Sequence, residues 1–230
     1  MTEKMTFNQE LANEYDRGIR RNLPSYDAML RLVQTFLRAN CTPQARLLVV
    51  GAGGGNELTA FGTSNPDWTF TAVDPAASML GLARMKAEQT QMVDRVEFIE
   101  GTVDDVETEQ IFDAATCLLV LHFVKEEDEK LRLLKKIRQH LPTGAPFVMA
   151  TMYGDPADPA FDELFALWKA YWLDSTKLTQ TEVDEMEKTL RSLSFLPENK
   201  IVALLEQAGF RNIAKFFSTN MIGGWICKAQ

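Results

Sequence analysis

The stretch that decides the fold is Leu47-Leu48-Val49-Val50-Gly51-Ala52-Gly53-Gly54-Gly55-Asn56-Glu57. Four apolar residues run into a cluster of glycines, and a helical pattern follows at once. A short apolar run bounded by glycines predicts a buried parallel strand. The glycines permit positive φ and let the backbone approach a ligand closely. Strand, glycine turn and helix together predict the corner of an α/β sheet at which nucleotides bind.

The spacing of the glycines distinguishes a dinucleotide-binding site from other nucleotide-binding sites. Gly51, Gly53 and Gly55 follow the pattern G-x-G-x-G. Asn56 stands where the dinucleotide fingerprint G-x-G-x-x-G has its third glycine, so the pattern disfavours a nicotinamide site. One alternative stays open, because clusters of glycines also make plain tight turns.

An acidic residue at the end of the next apolar run supports the nucleotide interpretation. Asp74 ends the run that begins at Phe70 and is followed by Pro75. It lies at roughly the 20-residue offset at which an acidic side chain meets the ribose hydroxyls in such folds. The alternative is that Asp74 is a helix N-cap before Pro75.

Composition is that of an ordinary globular domain. The 230 residues are 46% apolar and 24% charged, with a net charge of −8 that argues against a broad basic face for nucleic acid. The start of the chain shows no signal peptide and no stretch is long enough to span a bilayer. The three cysteines are far apart and form neither a metal-binding spacing nor a disulfide framework, so we expect a cytoplasmic protein without a metal.

Strand and helix patterns alternate along the chain and predict an α/β fold with a seven-stranded, mostly parallel sheet whose last strand is antiparallel. The predicted strands are 47–50, 68–73, 96–100, 112–123 with its exit, 146–152, 212–217 and 224–228. The predicted helices are 7–22, 26–39, 56–62, 78–91, 126–141, 160–173, 179–193 and 198–208. We expect a single domain, 1–230, made of N-terminal helices (1–45), a cofactor-binding core (46–153), a helical insertion or lid (154–196), and a C-terminal helix with the closing strands (197–230).

The Gly51 cluster with Asp74 resembles motif I of the class I S-adenosylmethionine-dependent methyltransferases. The resemblance implies that the turn after the third strand holds the adenine ring, although Thr102 stands where that class usually has an acidic residue. Asp104 or Asp105 would replace it only with a different loop path, and the Val103 N–H would still be offered to the ring. Leu118 falls where the class places a residue beside the methionine part of the cofactor.

Over nearly its full length the chain resembles one family more closely, the bacterial carboxy-S-adenosylmethionine synthases that serve tRNA wobble-uridine modification. The matching stretches are Tyr15-Asp16-Arg17-Gly18-Ile19-Arg20-Arg21-Asn22-Leu23-Pro24-Ser25-Tyr26, the Gly51 cluster, Leu121-His122-Phe123, Gln207-Ala208-Gly209-Phe210 and Ile226-Cys227-Lys228-Ala229. From the residues alone, the N-terminal helices are a cover for the sheet. The resemblance instead implies that Tyr26 lines the cofactor pocket.

The chain departs from that family at the residue that would bind an extra carboxylate. Leu204 stands where the family has an arginine on the helix before A-G-F, and Leu118 replaces a polar residue. A carboxylate without its bidentate partner would be costly to bury. Arg20 and Arg211 remain alternative partners. Val49 also replaces the acidic residue that is usual two positions before the first glycine of motif I.

We therefore predict a methyltransferase that uses S-adenosyl-L-methionine on a small molecule, with no nucleic acid or membrane partner and a homodimer as a candidate assembly. The alternatives are a carboxylating enzyme of the same fold, a nicotinamide oxidoreductase, and a non-catalytic cofactor-binding module. The general base, if one is needed, has the candidates His122, Tyr153 and Asp155, and none of them is assigned. The predicted cofactor-binding residues are Tyr26, Gly51, Ala52, Gly53, Gly55, Asp74, Pro75, Thr102, Val103 and Leu118.

Overall fold

A computed structural model describes residues 18–230, which divide into two compact units, 18–114 and 115–230. Residues 18–22 are helical, so most of the predicted helix 7–22, including Tyr15, lies outside the described residues. The elements of the first unit are α1 (Tyr26–Asn40), β1 (Arg46–Val50), α2 (Asn56–Gly62), β2 (Thr69–Asp74), α3 (Ala77–Gln89) and β3 (Val96–Glu100).

The second unit begins within its first strand and contains the helical insertion and the closing strands. Its elements are β4 (Ala114–Leu118), α4 (Glu127–Gln139), β5 (Pro146–Met152), α5 (Pro159–Ser175), α6 (Gln180–Arg191), α7 (Glu198–Gln207), β6 (Phe210–Thr219) and β7 (Ile222–Ala229). The helix α6 starts with the predicted capping box, in which Thr179 and Glu182 satisfy each other's backbone N–H groups.

The seven strands form one sheet in the order β3-β2-β1-β4-β5-β7-β6. The strands β1, β2 and β3 pair in parallel, as do β4 and β5, whereas β7 is antiparallel to both of its neighbours. Every residue of β1 after Arg46 is buried, as expected for a central parallel strand. The predicted fold class is confirmed, including the antiparallel last strand.

The predicted fourth strand was too long at both ends. Asp113 precedes β4, where its carboxylate accepts from the Arg46 N–H at 2.7 Å and its own N–H donates to the Arg46 carbonyl. After Leu118 the backbone of Leu119 turns to a φ of 61° and the strand ends; a short 3₁₀ turn, Leu121–Phe123, follows. The apolar residues continue past the end of β4 into this turn, so hydrophobicity alone does not predict where the strand ends.

The closing strands are longer than predicted. The strand β6 begins at Phe210 rather than 212, and its pairing with β7 is shifted between Arg211 and Ala214, where Asn212 has a φ of 54°. An irregular strand of this kind interrupts the alternation of apolar and polar residues from which a strand is predicted.

The link from β3 to β4, residues 101–113, contains a single 3₁₀ turn, Val103–Asp105, as its only helical element. The strand β3 is outermost in the sheet, and none of its five residues is fully buried. Within residues 18–230, none of the helices is both long and apolar enough to cross a membrane.

Candidate functional site

The glycine turn after β1 has the backbone that its sequence predicts. Gly51, Gly53 and Gly55 have φ values of 72°, 50° and 78°, in the left-handed region that favours glycine. A Cβ on Gly55 would lie 2.8 Å from the Cα of Ala83, so the third glycine also lets α2 pack closely against α3. The backbone therefore agrees with the tight-turn interpretation, and the close approach of a ligand to this turn stays a prediction.

The end of β2 is bonded directly to this turn. The N–H groups of Gly51 and Ala52 both donate to the carbonyl of Val73, at 2.8 and 3.0 Å. One carboxylate oxygen of Asp74 accepts from the Gly53 N–H at 2.9 Å, and the other accepts from the Ala76 N–H at 2.9 Å. Asp74 thereby fixes the position of the glycine turn relative to β2.

Asp74 keeps the capacity to bind a ligand after these two bonds. Each carboxylate oxygen has two acceptor sites, and one on each is used by the backbone. The side chain is almost buried, at 9% exposure, and Pro75 beside it is exposed. The N-cap alternative is wrong, because the N-cap of α3 is Ala76, and Asp74 bonds the N–H of Ala76 rather than that of a residue in the first turn of the helix.

The turn after β3 is closed by its own side chains. The carboxylate of Asp105 accepts from the Thr102 N–H at 2.8 Å, and the Thr102 hydroxyl accepts from the Asp104 N–H at 3.3 Å. Asp105 is therefore committed to capping the 3₁₀ turn. Val103 is buried, whereas Thr102 is exposed. The Gly101 N–H donates to the Asp74 carbonyl at 3.1 Å, so this turn is bonded to the same strand end as the glycine turn.

Tyr26, which the resemblance places beside the cofactor, lies at the start of α1. Tyr26 is the first residue of α1 and is buried, with the guanidinium of Arg20 5.7 Å from its ring. The Nε of Arg20 donates to the carboxylate of Asp27 at 2.9 Å, so this arginine already has an anionic partner. That Tyr26 contacts a cofactor stays a prediction.

Leu118, Leu204 and Arg211 are the residues of the second unit that the sequence connects with the cofactor. Leu118 is buried and ends β4, immediately before the unusual backbone of Leu119. Leu204, in place of the family's arginine, is 2% exposed in α7. Arg211 is exposed on β6. Leu204 is therefore an apolar core residue, and its helix offers no charge at that position.

His122 is held in one neutral form. Its Nδ1 accepts from the Met152 N–H at 3.2 Å and lies 3.1 Å from the Thr151 hydroxyl. Since Nδ1 accepts, the ring proton is on Nε2. Burial, and then the charge of Lys130, lower the pKa of His122 to about 3. His122 is therefore a hydrogen-bond donor through Nε2 and a poor candidate for the general base.

Lys130 is a buried residue that the sequence interpretation missed. It is 1% exposed, and its Nζ donates to the carbonyls of Leu121 at 2.6 Å, of Val124, and of Ser194 at 3.4 Å. Burial lowers its pKa to about 8, against the opposing charge of Glu127. The helical spacing of Lys130 to the apolar positions 134, 137 and 141 was the signal that could have found it.

The other two candidate bases lie in different surroundings. The Tyr153 hydroxyl accepts from the Lys215 ammonium at 2.7 Å and lies 3.2 Å from the Ser218 hydroxyl. Lys215 also donates to Glu198 at 2.7 Å; burial lowers its pKa, but these hydrogen bonds outweigh burial and the net shift is upward. Asp155 is exposed, and its carboxylate accepts from a backbone N–H two residues on. Only Tyr153 belongs to a polar cluster.

No group of three or more His, Cys, Asp and Glu side chains within residues 18–230 is placed to hold a metal ion.

Comparison with known proteins identifies the same part of the chain. Residues 48–147 match a family of methyltransferase domains. The carboxy-S-adenosyl-L-methionine synthase of Helicobacter pylori (strain Shi470) is 27% identical over 227 residues, which cover 94% of this chain and 91% of that protein. The predicted resemblance to class I methyltransferases is confirmed, as is the resemblance to the carboxy-S-adenosylmethionine synthases, at this low identity.

Two solved structures share the fold. An O-methyltransferase family protein from Burkholderia thailandensis has a TM-score of 0.59 and 18% identity, over 98% of this chain and 64% of its own. The N,N-8-amino-8-demethyl-D-riboflavin dimethyltransferase from Streptomyces davawensis has a TM-score of 0.60 and 19% identity, over 90% and 58%. This chain therefore spans less than two-thirds of the length of either protein.

Proposed function

We propose that this chain, a class I S-adenosylmethionine-dependent methyltransferase by its matched domain and its fold, methylates a small molecule and binds its cofactor on the first unit. The observation that carries the proposal is the bond from the Gly53 N–H to the Asp74 carboxylate. It joins the two halves of the predicted nucleotide motif and leaves acceptor sites on the carboxylate unused.

The residues of the first unit fit the cofactor. The positive-φ turn at Gly51 and Gly53 lets the backbone approach a ligand without a Cβ in the way. The Asp74 carboxylate would accept hydrogen bonds from the ribose hydroxyls. Hydrogen bonds to a charged acceptor are stronger than those between neutral groups. Thr102, and Val103 through its N–H, would border the adenine ring. Leu118 and Tyr26 are further predicted contacts.

The cofactor, when bound, supplies a methyl group on a positively charged sulfur and is already reactive toward a nucleophile. The task of the protein is then to orient the acceptor and exclude water, which is catalysis by positioning. A base is required only if the acceptor loses its proton during attack. His122 as described is a hydrogen-bond donor, and Tyr153 with Lys215 is the polar cluster of the second unit.

A small-molecule acceptor is supported by charge and by likeness. The net charge of −8 opposes a broad contact with nucleic acid. The solved relative from Streptomyces davawensis is named for a riboflavin derivative, which is a small molecule.

We further propose a cytoplasmic location, a homodimer, a single domain, and a lid formed by the insertion 154–196.

Ordinary S-adenosylmethionine is the proposed form of the cofactor. Leu204 is buried and apolar where the carboxylating family has an arginine, and Arg20 is bonded to Asp27. If the exposed Arg211 does not reach the pocket either, a second carboxylate lacks its partner, at a cost in affinity. The carboxylating activity of the relatives remains the alternative function.

Calorimetric titration with S-adenosylmethionine tests the proposal. We expect Asp74→Ala to weaken binding by roughly 1.5–3 kcal/mol, the range for hydrogen bonds to a charged group. Asp67→Ala is the matched control, because Asp67 is an exposed carboxylate in the turn before β2, and it should leave the affinity unchanged.

Three outcomes would contradict parts of the proposal. Equal affinity of the Asp74 variant and the wild type removes ribose recognition. Tighter binding of the carboxylated cofactor than of the ordinary one favours the carboxylating alternative. Binding without release of S-adenosylhomocysteine across a panel of small nucleophiles favours a non-catalytic module.

A further inference from the structure

A cluster of four polar side chains lies at the carboxyl end of β5, in the second unit. Its members are Tyr153, directly after β5, Lys215 and Ser218 on β6, and Glu198 at the start of α7. The Lys215 ammonium donates to the Tyr153 hydroxyl and to the Glu198 carboxylate, both at 2.7 Å. The hydroxyls of Tyr153 and Ser218 are 3.2 Å apart. In open α/β sheets ligands bind beyond the carboxyl ends of the strands, which is where this cluster lies.

An irregularity in β6 brings two of these side chains to one face of the sheet. Lys215 is opposite Trp225 on β7, and Ser218 is opposite Gly223. Trp225 and Gly223 are two residues apart and share a face, whereas Lys215 and Ser218 are three apart and would lie on opposite faces of a regular strand. The register shift after Lys215 supplies the extra residue. Both side chains thereby reach the Tyr153 hydroxyl.

The ring of Tyr153 is held in place by its neighbours. Trp225 contacts it edge to face, with ring centroids 5.5 Å apart and an angle of 87°. A Cβ on Gly223 would lie 3.0 Å from the Tyr153 ring and 2.5 Å from the Trp225 ring, so the glycine leaves room for both. The position of the Tyr153 hydroxyl is therefore fixed by packing as well as by the hydrogen bond from Lys215.

The cluster has more protons to donate than it can accept internally. The Lys215 ammonium has three N–H groups, of which Tyr153 and Glu198 take two. Between Tyr153 and Ser218 one hydroxyl donates to the other, and whichever way this bond runs, the proton of the second hydroxyl is left over. Within residues 18–230 the ammonium and the two hydroxyls have no further hydrogen-bond partner. One ammonium proton and one hydroxyl proton remain for an acceptor from outside.

A ligand can reach these donors. The Lys215 side chain is 24% exposed, Tyr153 is half-buried and Ser218 is exposed. The Glu198 side chain is 47% exposed, so water screens the carboxylate of this ion pair more than it screens the ammonium. The less exposed part of the cluster therefore presents donors.

The chemistry of the donors indicates which ligand group binds. An oxygen that accepts from the ammonium makes a charge-assisted hydrogen bond, which is strongest when the oxygen is itself negative. A carboxylate or a phenolic oxygen has the two acceptor sites that the two spare protons require. A protonated amine has no acceptor site and would leave both protons unused.

We propose that Lys215, with Tyr153 and Ser218, determines the specificity for the methyl acceptor by binding an oxygen of that molecule. The acceptor is then a small carboxylic acid or phenol rather than an amine. The inference rests on the proposed function, because methyl transfer is what makes the bound molecule an acceptor.

Titration with benzoate, phenol and benzylamine, monitored by NMR of the probe, tests the inference in saturating S-adenosylhomocysteine. The three probes share one ring and differ in the group they present. Benzoate and phenol should bind, benzylamine should not, and the tighter of the first two identifies the acceptor as an acid or a phenol. Lys215→Met should raise the dissociation constant of the bound probes at least about tenfold, as expected for a hydrogen bond to a charged group. Tyr153→Phe should raise it about fivefold, as expected for a neutral hydrogen bond.

Two further variants separate binding from a structural role of the ion pair. Lys200→Met is the matched control, because Lys200 is an exposed lysine of α7 with its own glutamate, Glu127, at 3.2 Å, and it should leave probe binding unchanged. Glu198→Gln breaks the ion pair but keeps the ammonium, so it should tighten benzoate binding by about threefold. Unchanged affinity for S-adenosylhomocysteine shows that each variant is folded.

Two results overturn the inference. One is that benzoate and phenol fail to bind, that benzylamine binds equally well, or that Lys215→Met leaves their binding unchanged. The other is an equal loss of benzoate affinity in Lys215→Met and Glu198→Gln, which would make the ion pair a structural tie between β6 and α7. A failure of S-adenosylmethionine itself to bind contradicts the proposed function alone, since the dependence of benzoate binding on Lys215 is then measured without S-adenosylhomocysteine.

Discussion

Each unit contains a lysine buried on the inner face of a helix, and the two are satisfied in different ways. Lys130 in the second unit is 1% exposed and donates to three backbone carbonyls. Lys86 in the first unit is 7% exposed and donates to the side-chain oxygen of Asn56, on the floor of a cavity.

The difference separates an ammonium that is bound to backbone carbonyls from one that is bound to a side chain. Backbone carbonyls cannot be removed by mutation, and those bound by Lys130 come from the loop after β4 and from Ser194 after α6. Lys130 therefore ties two segments together. The partner of Lys86 is a side chain, Asn56, which is the first residue of α2.

Removal of the Lys130 ammonium should have the largest effect on the free energy of unfolding. Lys130→Met would leave three carbonyls without their donor, and we expect a loss of about 3–5 kcal/mol in the free energy of unfolding. Lys135→Met, an exposed lysine on the same helix, is the control and should cost less than about 0.5 kcal/mol. Urea denaturation measures both, and equal values would show that Lys130 is not a structural tie.

The free energy of unfolding should also depend on pH through Lys130. Burial lowers the pKa of Lys130 from 10.5 to about 8 in the folded protein. Between these values the unfolded chain binds more protons than the folded one, so stability rises with pH from about 8 to 10.5. The full difference corresponds to at most about 3 kcal/mol.

The measurement is the unfolding free energy of the wild type relative to Lys130→Met, at pH 7 and at pH 10. Subtracting the unfolding free energy of the variant from that of the wild type cancels the contributions of the other titrating groups. The difference should be larger at pH 10, and a difference that falls as pH rises would mean that the folded protein prefers the charged lysine.

The smallest effect is expected at Lys86. Lys86→Met removes the bond to the Asn56 side chain, whereas Lys130→Met removes bonds to three backbone carbonyls. We expect a loss of about 1 kcal/mol in the free energy of unfolding, the ordinary value of one hydrogen bond. The same urea series measures it, and a loss as large as that of Lys130→Met would mean that both lysines are structural.

The sequence predicts the backbone where the residue type itself restricts or permits a conformation, as glycine permits positive φ. The glycines at 51, 53 and 55 were predicted to adopt positive φ, and all three do. The contact of Asp74 with the glycine turn was not predicted, because an offset in sequence says which strand ends meet but not which atoms bond. Leu119 gave no signal of its left-handed backbone, since a leucine there is read as part of an apolar strand.

The two buried lysines show a second limit. Helical periodicity predicts which positions face inward, but a lysine at such a position is ordinarily assigned to the surface because a buried charge is costly. The partners that offset that cost are distant in sequence, as with Asn56 and Lys86 or Lys130 and Ser194. They became visible only in the folded chain.

The outermost strand of the sheet has a consequence for how the protein behaves at high concentration. An uncovered strand edge is a template on which another chain can add a strand and begin to aggregate. Glu97 and Glu100 lie on β3, and the Glu97 carboxylate accepts from Thr71 at 2.8 Å and from Gln110 at 3.0 Å. Two copies that met edge to edge along β3 would bring these negative charges together. Their repulsion would oppose the addition of further copies along this edge.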